Sequence, residues 1–365
     1  MVLDDTVLAD PAALATLDPS GVLRSAATAG AQVRSTAHAA AEAGIGRFAG
    51  TRPRAVVLVA RPGTSTSSAA ILAALLGPAC PVPVVVAGQV PSWVGALDVV
   101  LAHTTLGTDY ELADGIDRAA RRGADVVLSA PGEGPVASAG AGRVRLVEPR
   151  VPVPPGLDLP RALALGVSVL AELGLLGAEH GLGPDLGPVA DVLDAEAERN
   201  QPEHEPFMNP AKALALRLAD RTPLLWGTDA VAAAVAAHGA RALATHAGVV
   251  AHGAAAADGV TASGLMLALA AGPTDIFHDP FAGSADGEVQ APPRVVLVGT
   301  GEDDPVRELL RQTGRELRGP DVLHPVEEVA RGTRQAVLLR AALLASRFDL
   351  AAVYLGLATR MIAPA

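Results

Sequence analysis

A chain of 365 residues is long enough for two domains of ordinary size, each with its own core. Hydrophobic residues make up 50% of the chain and charged residues 18%, a composition that excludes disorder over most of the length. The net charge of -11 excludes nucleic acid as the main partner, because phosphate backbones are bound through concentrated lysine and arginine.

Cysteine content and the N-terminal sequence narrow the class of protein further. Cys80 is the single cysteine, so neither a disulfide framework nor a cysteine metal cluster is expected. The acidic start Met1–Asp5 lacks the basic region of a signal peptide. Glycines interrupt the apolar stretches before they reach membrane-spanning length. We therefore expect a cytoplasmic protein with no metal, no cofactor and no membrane partner.

The first part of the chain has the pattern of an α/β domain. A helix is predicted over Val22–Phe48, and short apolar runs then alternate with helical segments. This alternation is typical of a parallel sheet covered by helices on both faces. The predicted strands are Ala55–Ala60, Val82–Ala87, Val99–His103, Asp125–Ser129 and Val144–Val147. The helices predicted between them are Ala69–Leu76 and Tyr110–Arg122.

A proline-rich stretch, Pro149–Pro155, ends this block, and a second α/β block follows a connector. One helix, Arg161–Leu176, is predicted within the connector. The second block has predicted strands Pro223–Trp226 and Arg294–Val298 and helices Ala211–Ala219, Ala230–Ala244, Leu309–Arg318, Pro325–Phe348 and Asp349–Ala358. We thus predict an N-terminal helix with a first α/β domain over residues 1–150, a connector with a helix over 151–210, and a second α/β domain with C-terminal helices over 211–365.

The turn after the first predicted strand is suited to binding an anion. Strand Ala55–Ala60 stops at Arg61-Pro62-Gly63, and five hydroxyl residues, Thr64–Ser68, come before the predicted helix. Unpaired N–H groups at a helix start carry partial positive charge, and the hydroxyls add donors. The alternative is a hydroxyl-rich cap on an ordinary strand-to-helix turn. The turn is not a Walker loop, because no Gly-Lys-Ser/Thr follows it, and not a dinucleotide fingerprint, because the glycine spacing is missing.

This turn and four further segments occur in a characteristic order. They are Ala60–Ser65, His103–Thr108, Pro160–Leu163, Asn209–Ala215, and an ending that contains Gly332, Gln335, Asp349 and Val353–Leu357. In this order they resemble the motifs of the sugar isomerase (SIS) domain proteins. Within that group the chain is most similar to a divergent member of the bifunctional phosphoglucose/phosphomannose isomerase family. The resemblance extends over Val22–Tyr354.

The resemblance implies two SIS-type domains, each a parallel sheet flanked by helices, and a first domain that holds a phosphosugar. It also implies a homodimer and aldose–ketose isomerisation of hexose 6-phosphates such as glucose 6-phosphate or mannose 6-phosphate. The residues that it assigns to phosphosugar binding are Gly63, Thr64, Ser65, His103, Thr105, Thr108 and Arg161.

The reactive residues of the resembling family are replaced in this chain. The resemblance places Thr245 over the family's glutamate base and Thr261 near its histidine. The sole lysine, Lys212, lies in the Asn-x-Ala-Lys segment, so no lysine is left for the C-terminal position. His246 and His252 are candidate bases because imidazole titrates near neutral pH, and a packing role is the alternative for each.

One more pair, His278-Asp279, resembles a base beside its orienting carboxylate.

Two functions remain open from the sequence. The chain is an aldose–ketose isomerase by resemblance, with its catalytic residues changed. The alternative is a non-catalytic phosphosugar sensor, or a regulatory or scaffold partner in sugar-phosphate metabolism.

Overall fold

Two parallel sheets form the framework of the protein. The computed structural model describes residues 5–140, 142–176, 185–270 and 291–362. The first sheet contains β1 (Ala55–Val59), β2 (Val84–Ala87), β3 (Asp98–His103), β4 (Asp125–Ser129) and β5 (Val144–Val147), in the order β2-β1-β3-β4-β5. The second contains β6 (Thr222–Gly227), β7 (His252–Ala255), β8 (Pro293–Val298) and β9 (Asp321–Leu323), in the order β7-β6-β8-β9. The predicted α/β class with two parallel sheets is confirmed.

Helices flank both sheets. The helices before residue 200 are, in the part of the chain that the structure describes, α1 (Asp5–Ala9), α2 (Pro11–Leu17), α3 (Val22–Ala26), α4 (Ala29–Glu42), α5 (Thr64–Leu76), α6 (Tyr110–Arg121), α7 (Pro135–Ser138), α8 (Leu159–Glu172) and α9 (Gly187–Arg199). Those that follow are α10 (Pro210–Leu218), α11 (Ala230–Ala247), α12 (Ala256–Gly259), α13 (Ser263–Ala270), α14 (Pro305–Thr313) and α15 (Ala336–Ala358). None of the described helices is long and apolar enough to span a membrane.

Contacts divide the chain into two units with one sheet each. The β1–β5 unit consists of Gly21–Arg199 and Val326–Ser346. The β6–β9 unit consists of Met1–Ser20, Asn200–Pro325 and Arg347–Ala365. The domain limits predicted near residues 150 and 210 cut the chain into consecutive stretches, whereas each unit of the structure combines separate stretches.

Small aliphatic side chains fill the cores because the chain has few aromatic residues. Every residue of β1 and β3 is buried, as expected for strands covered by helices on both faces. In the β1–β5 unit, Val57 and Val100 from the sheet pack with Leu112 and Ile116 of α6 in one buried cluster. This explains why the strands read as continuous apolar runs in the sequence.

Several predicted helix boundaries are wrong. Helix α5 begins at Thr64 rather than at Ala69, because the hydroxyls after Gly63 bond back to the preceding turn and lie in the first helical turns. The predicted helix Val22–Phe48 is divided into α3, α4 and a 3-10 turn. The two predicted C-terminal helices are one helix, α15, which begins at Ala336 rather than at Pro325 and continues through the buried Arg347 and Asp349.

The strand order places a crevice in each unit. In the first sheet, the order changes direction between β1 and β3, and in the second between β6 and β8. Open parallel sheets bind ligands outside the carboxyl ends of the strands at this switch point. The residues that follow Val59 and His103 therefore surround one switch point, and those that follow Gly227 and Val298 surround the other.

Candidate functional site

The loop between β1 and α5 is closed by its own side chains. The Ser65 hydroxyl donates to the Val59 carbonyl oxygen at 2.9 Å and accepts from the Arg61 N–H at 3.1 Å. Gly63 precedes the helix with a φ of 94°, a conformation that residues with a Cβ rarely adopt. The loop therefore delivers Thr64 to the switch point as the first residue of α5.

An ion pair joins the loop after β3 to the loop after β1. Arg61 Nε and Nη2 lie 2.7 and 3.0 Å from the two carboxylate oxygens of Asp109. Arg61 Nη1 also lies 2.9 Å from Glu111 Oε2. Thr105 and Thr108 are exposed on the loop that leads to Asp109. The two loops are thus neighbours at the switch point, and both threonine hydroxyls are accessible there.

Three buried side chains converge on the carboxylate of Asp158, directly before α8. Thr64 Oγ1 donates to Asp158 Oδ2 at 2.7 Å, and His103 Nε2 lies 2.5 Å from the same oxygen. Arg161 Nη2 lies 3.8 Å from it. Because a carboxylate only accepts hydrogen bonds, the proton on His103 Nε2 points at Asp158. Thr64, His103 and Arg161, which we call the inner seat, hold an anion that the chain itself provides.

The other contacts of the inner seat differ between its members. His103 Nδ1 lies 3.0 Å from the hydroxyl of Ser129 at the end of β4, so both ring nitrogens are engaged. Arg161 is only 5% exposed, yet its Nε has no hydrogen-bond partner among the described residues. Burial lowers the pKa of Arg161, and the Asp158 charge opposes that shift. His103 is therefore fully bonded, whereas Arg161 retains a spare donor.

The Asp158 carboxyl is held in its charged form. Burial by itself raises its pKa, but the His103 contact, the Thr64 hydrogen bond and the Arg161 charge outweigh burial and bring the pKa to about 2. The ordinary value for aspartate is about 3.9. Asp158 therefore stabilises the fold above the unfolded-state pKa, and this stabilisation is lost as the pH falls through the folded-state pKa.

We expect acid to reveal this contribution. Between about pH 4 and pH 2, the Asp158 contribution to the free energy of unfolding falls by about 2 kcal/mol. Asp158→Asn, which has no carboxyl to protonate, is expected to lose that part of the pH dependence. Urea unfolding at a series of pH values measures it. Asp114→Asn, an exposed carboxyl on α6, is the control and is expected to retain the wild-type slope. An unchanged slope in Asp158→Asn contradicts the assignment.

A carboxylate also fills the switch point of the second sheet. Asp229 Oδ1 accepts from the Ala232 N–H at 2.8 Å and from the Thr300 hydroxyl at 2.7 Å. Its Oδ2 accepts from the N–H groups of Thr300 and Gly301 at 2.9 and 3.2 Å. Asp229 follows β6 and caps α11, while Thr300 and Gly301 follow β8. Both switch points thus gather donors around an aspartate of the chain.

The candidate bases His246 and His252 belong to the β6–β9 unit and lie away from the switch point of that unit. His246 is near the C-terminal end of α11, far along the helix from Asp229, and is 8% exposed. Burial lowers its pKa, with the nearby Asp349 charge acting in the opposite direction. His252 is exposed at the amino end of β7, and its Nδ1 accepts from Trp226 Nε1 at 3.2 Å. The structure therefore groups neither histidine with Asp229 at the second switch point.

The two threonines that the resemblance places at the family's other reactive positions, Thr245 and Thr261, make local contacts. The Thr245 hydroxyl donates to the Arg241 carbonyl oxygen at 2.8 Å, and the Thr261 hydroxyl donates to the Asp258 carbonyl oxygen at 2.7 Å. Both threonines are exposed. The pair His278-Asp279 lies outside the described residues.

Sequence reasoning missed Asp158, Ser129 and Asp229. The available signal was the placement of both aspartates directly before a helix, the position where aspartate is a preferred cap. That signal predicts a cap on the following helix. It does not predict that the Asp158 carboxylate turns to Thr64, a residue remote in the sequence.

Comparisons with known proteins agree with this architecture. Residues 207–361 match the family model described as the bacterial phospho-glucose isomerase C-terminal SIS domain. The C-terminal domain of glucosamine-fructose-6-phosphate aminotransferase from Francisella tularensis is a structural neighbour at 11% identity and a TM-score of 0.58, with 93% of this chain and 96% of that one covered. Tagatose-6-phosphate ketose/aldose isomerase from Escherichia coli is another, at 12% identity and a TM-score of 0.54, with 92% and 91% covered. None of the curated proteins matches the chain in sequence. The chain thus has the fold of SIS-domain proteins.

Proposed function

We propose that this protein binds a phosphosugar of the hexose 6-phosphate class at the switch point of the β1–β5 unit. The observation that carries the proposal is the convergence of Thr64, His103 and Arg161 on a single carboxylate oxygen. Donors from three separate elements that meet at one point form a site for an oxyanion. A structural neighbour that is named for tagatose 6-phosphate and covers 92% of this chain supports phosphate as that oxyanion.

The donors at the mouth of the crevice suit the ligand's phosphate. The first N–H groups of α5, at Thr64 and Ser65, have no acceptor within the helix by position, and they carry the positive end of the helix dipole. The Thr105 and Thr108 hydroxyls are exposed on the adjoining loop. We call these two N–H groups and two hydroxyls the outer donors.

The space behind the inner seat directs the sugar outward. The cavity there is lined by Ser65, His103, Ala162 and Gly166 among others and has a volume of about 20 Å³. Such a volume holds about one water molecule. The sugar of a hexose phosphate therefore lies outside the strand ends, where only its phosphate meets the protein's buried donors.

Binding without turnover is the second function that a specific observation favours. The resemblance places Thr245 over the family's base and Thr261 near its histidine, and each hydroxyl is bonded to its own helical segment. A threonine hydroxyl is a poor general base at neutral pH because its deprotonated form is scarcely populated. A phosphosugar sensor or regulatory partner needs only the binding site.

Calorimetric titration of the full chain with glucose 6-phosphate and fructose 6-phosphate tests the binding site. We expect saturable binding of the sugar phosphates and no binding of glucose. Thr105→Val and Thr108→Val are each expected to weaken binding by about tenfold, since a hydrogen bond to a charged group contributes about 1.5–3 kcal/mol. Thr51→Val, an exposed threonine before β1, is the matched control.

The same samples, prepared in deuterated water, report turnover. If the protein is a sensor, fructose 6-phosphate is expected to remain unconverted. An isomerase is expected to form an aldose product that carries solvent deuterium at C2. Equal affinity for glucose and glucose 6-phosphate, or identical losses in Thr51→Val and the two loop variants, contradicts phosphate binding at this crevice.

A further inference from the structure

We propose that Asp158 is a built-in competitor of the ligand's phosphate, so that a phosphate group enters the inner seat by displacing the Asp158 carboxylate. The identity of the ligand rests on the proposed function, but the competition itself is argued from the contacts of Asp158. Thr64 and His103 each direct a proton at Asp158 Oδ2. A phosphate oxygen at the same point would find the same donors.

The two anions exclude each other. Asp158 is 1% exposed, and its Oδ2 already receives the Thr64 hydroxyl at 2.7 Å. A phosphate dianion cannot approach these donors while a buried carboxylate occupies them, because like charges at short range in a poorly solvated site repel strongly. In the wild type, phosphate therefore binds by displacing the Asp158 carboxylate, and the measured affinity includes the free energy of that displacement.

Asp158 has a second place to go. It is the residue directly before α8, where an aspartate side chain usually accepts from the N–H groups of the first helical turn. Within α8, all of which the structure describes, the Asp158 side chain makes no such bond. A capping side chain accepts from the second or third N–H of the helix, and since Pro160 has no N–H, the remaining donor is the Arg161 N–H. Rotation of the side chain from the inner seat to this N–H leaves the carboxylate bonded in both arrangements.

Asp158 does not engage the full hydrogen-bonding capacity of Arg161. Its guanidinium is buried, its closest approach to Asp158 is 3.8 Å, and its Nε has no hydrogen-bond partner among the described residues. A carboxylate has two oxygens, and Asp158 Oδ1 is taken by the Gly156 N–H at 3.2 Å. Phosphate has more acceptor oxygens and can bond Thr64, His103 and Arg161 together. The seat therefore suits a tetrahedral oxyanion better than the carboxylate that fills it.

The test uses inorganic phosphate and the full chain with Asp158→Ala. We expect this variant to bind phosphate at least about tenfold more tightly than the wild type in calorimetry, because the donors no longer have an internal acceptor. Its unfolding temperature is expected to rise with phosphate relative to sodium chloride at equal ionic strength. Asp158→Ser, which retains a helix-capping hydroxyl, is expected to behave in the same way.

Asp98→Ala is the matched control, since Asp98 is equally buried in the same unit but pairs with Arg54 at the amino end of β3. It is expected to show no gain. Adding Arg161→Leu to Asp158→Ala is expected to remove the gain. If Asp158→Ala is unfolded in chloride, phosphate is expected to restore its folded state. Failure of that rescue, equal gains in Asp98→Ala, or a folded Asp158→Ser with wild-type phosphate affinity overturns the proposal.

The outcome is separable from that of the proposed function. A wild type that ignores hexose 6-phosphates, beside an Asp158→Ala variant that binds phosphate, removes the proposed ligand and leaves the competitor in place. A wild type that binds hexose 6-phosphates, beside an Asp158→Ala variant with no gain, does the reverse.

Discussion

Replacing Lys212 by methionine is expected to lower the free energy of unfolding by about 3 kcal/mol. Lys212 is fully buried, and its Nζ donates to the carbonyl oxygens of Pro202 and His204 at 2.7 and 2.8 Å. Methionine has a similar length but donates no hydrogen bond. Leaving a buried acceptor without its donor costs about 1–3 kcal/mol for each carbonyl.

The neighbours of Lys212 make its charge matter as well. Its Nζ lies 5.5 Å from the ring centroid of Tyr354, within the range of a cation–π interaction. Burial lowers the pKa of Lys212, and the charges of Glu205 and Glu203 act against that shift. The Tyr354 hydroxyl donates to the Asn200 carbonyl oxygen at 2.6 Å. Lys212 thus connects the segment that precedes α10 with Tyr354 of helix α15. The methionine variant loses this connection.

Urea unfolding followed by circular dichroism measures the effect. Arg217→Met is the matched control, because Arg217 lies on the same helix with a half-exposed side chain and an ion pair with Asp321 at 4.0 Å. Exposed ion pairs contribute about 0–1 kcal/mol, so the control is expected to stay close to the wild type. If Lys212→Met unfolds at the same urea concentration as Arg217→Met, the structural role of Lys212 is wrong.

The strands could be predicted from the sequence because their burial on both faces leaves a continuous apolar run. Asp125–Ser129 and Val144–Val147 were predicted with the observed limits. β9 was missed because the strand spans Asp321–Leu323 alone and only Leu323 is buried, which leaves no continuous apolar run. Helix α15 was divided in the prediction because Asp349 reads as a surface charge. In the structure it is buried and pairs with His238 at 2.9 Å.

The site was harder to predict than the fold, for a physical reason. Position at the strand ends indicates which residues approach the switch point, and Thr64 and His103 follow from that rule. The presence of Asp158 between these donors does not follow from that rule. Asp158 lies far along the chain from Thr64, and hydrogen bonds between remote side chains leave no period or spacing in a sequence. The same holds for the Asp229 contact with Thr300.

The largest loss of stability is expected for Gly227→Ala, at the point where β6 ends and α11 begins. A Cβ on Gly227 would lie 2.0 Å from the Ala233 nitrogen and 2.3 Å from the Ala232 carbonyl carbon. These are backbone atoms of a helix, so they cannot move aside as the end of a flexible side chain can. Relief requires α11 to shift away from β6 as a body, and overpacking of this kind costs more than the usual 1–3 kcal/mol, here about 4 kcal/mol.

Such a shift would also disturb the second switch point. Asp229 stands at the start of α11 and reaches Thr300 and Gly301 after β8. Moving the helix start by a fraction of an ångström lengthens those hydrogen bonds. Gly301→Ala is the control at the same sheet edge, since a Cβ there would meet its nearest atom only at 3.9 Å. We expect urea unfolding to place Gly301→Ala within about 1 kcal/mol of the wild type. Equal midpoints for the two variants would mean that β6 and α11 do not approach each other this closely.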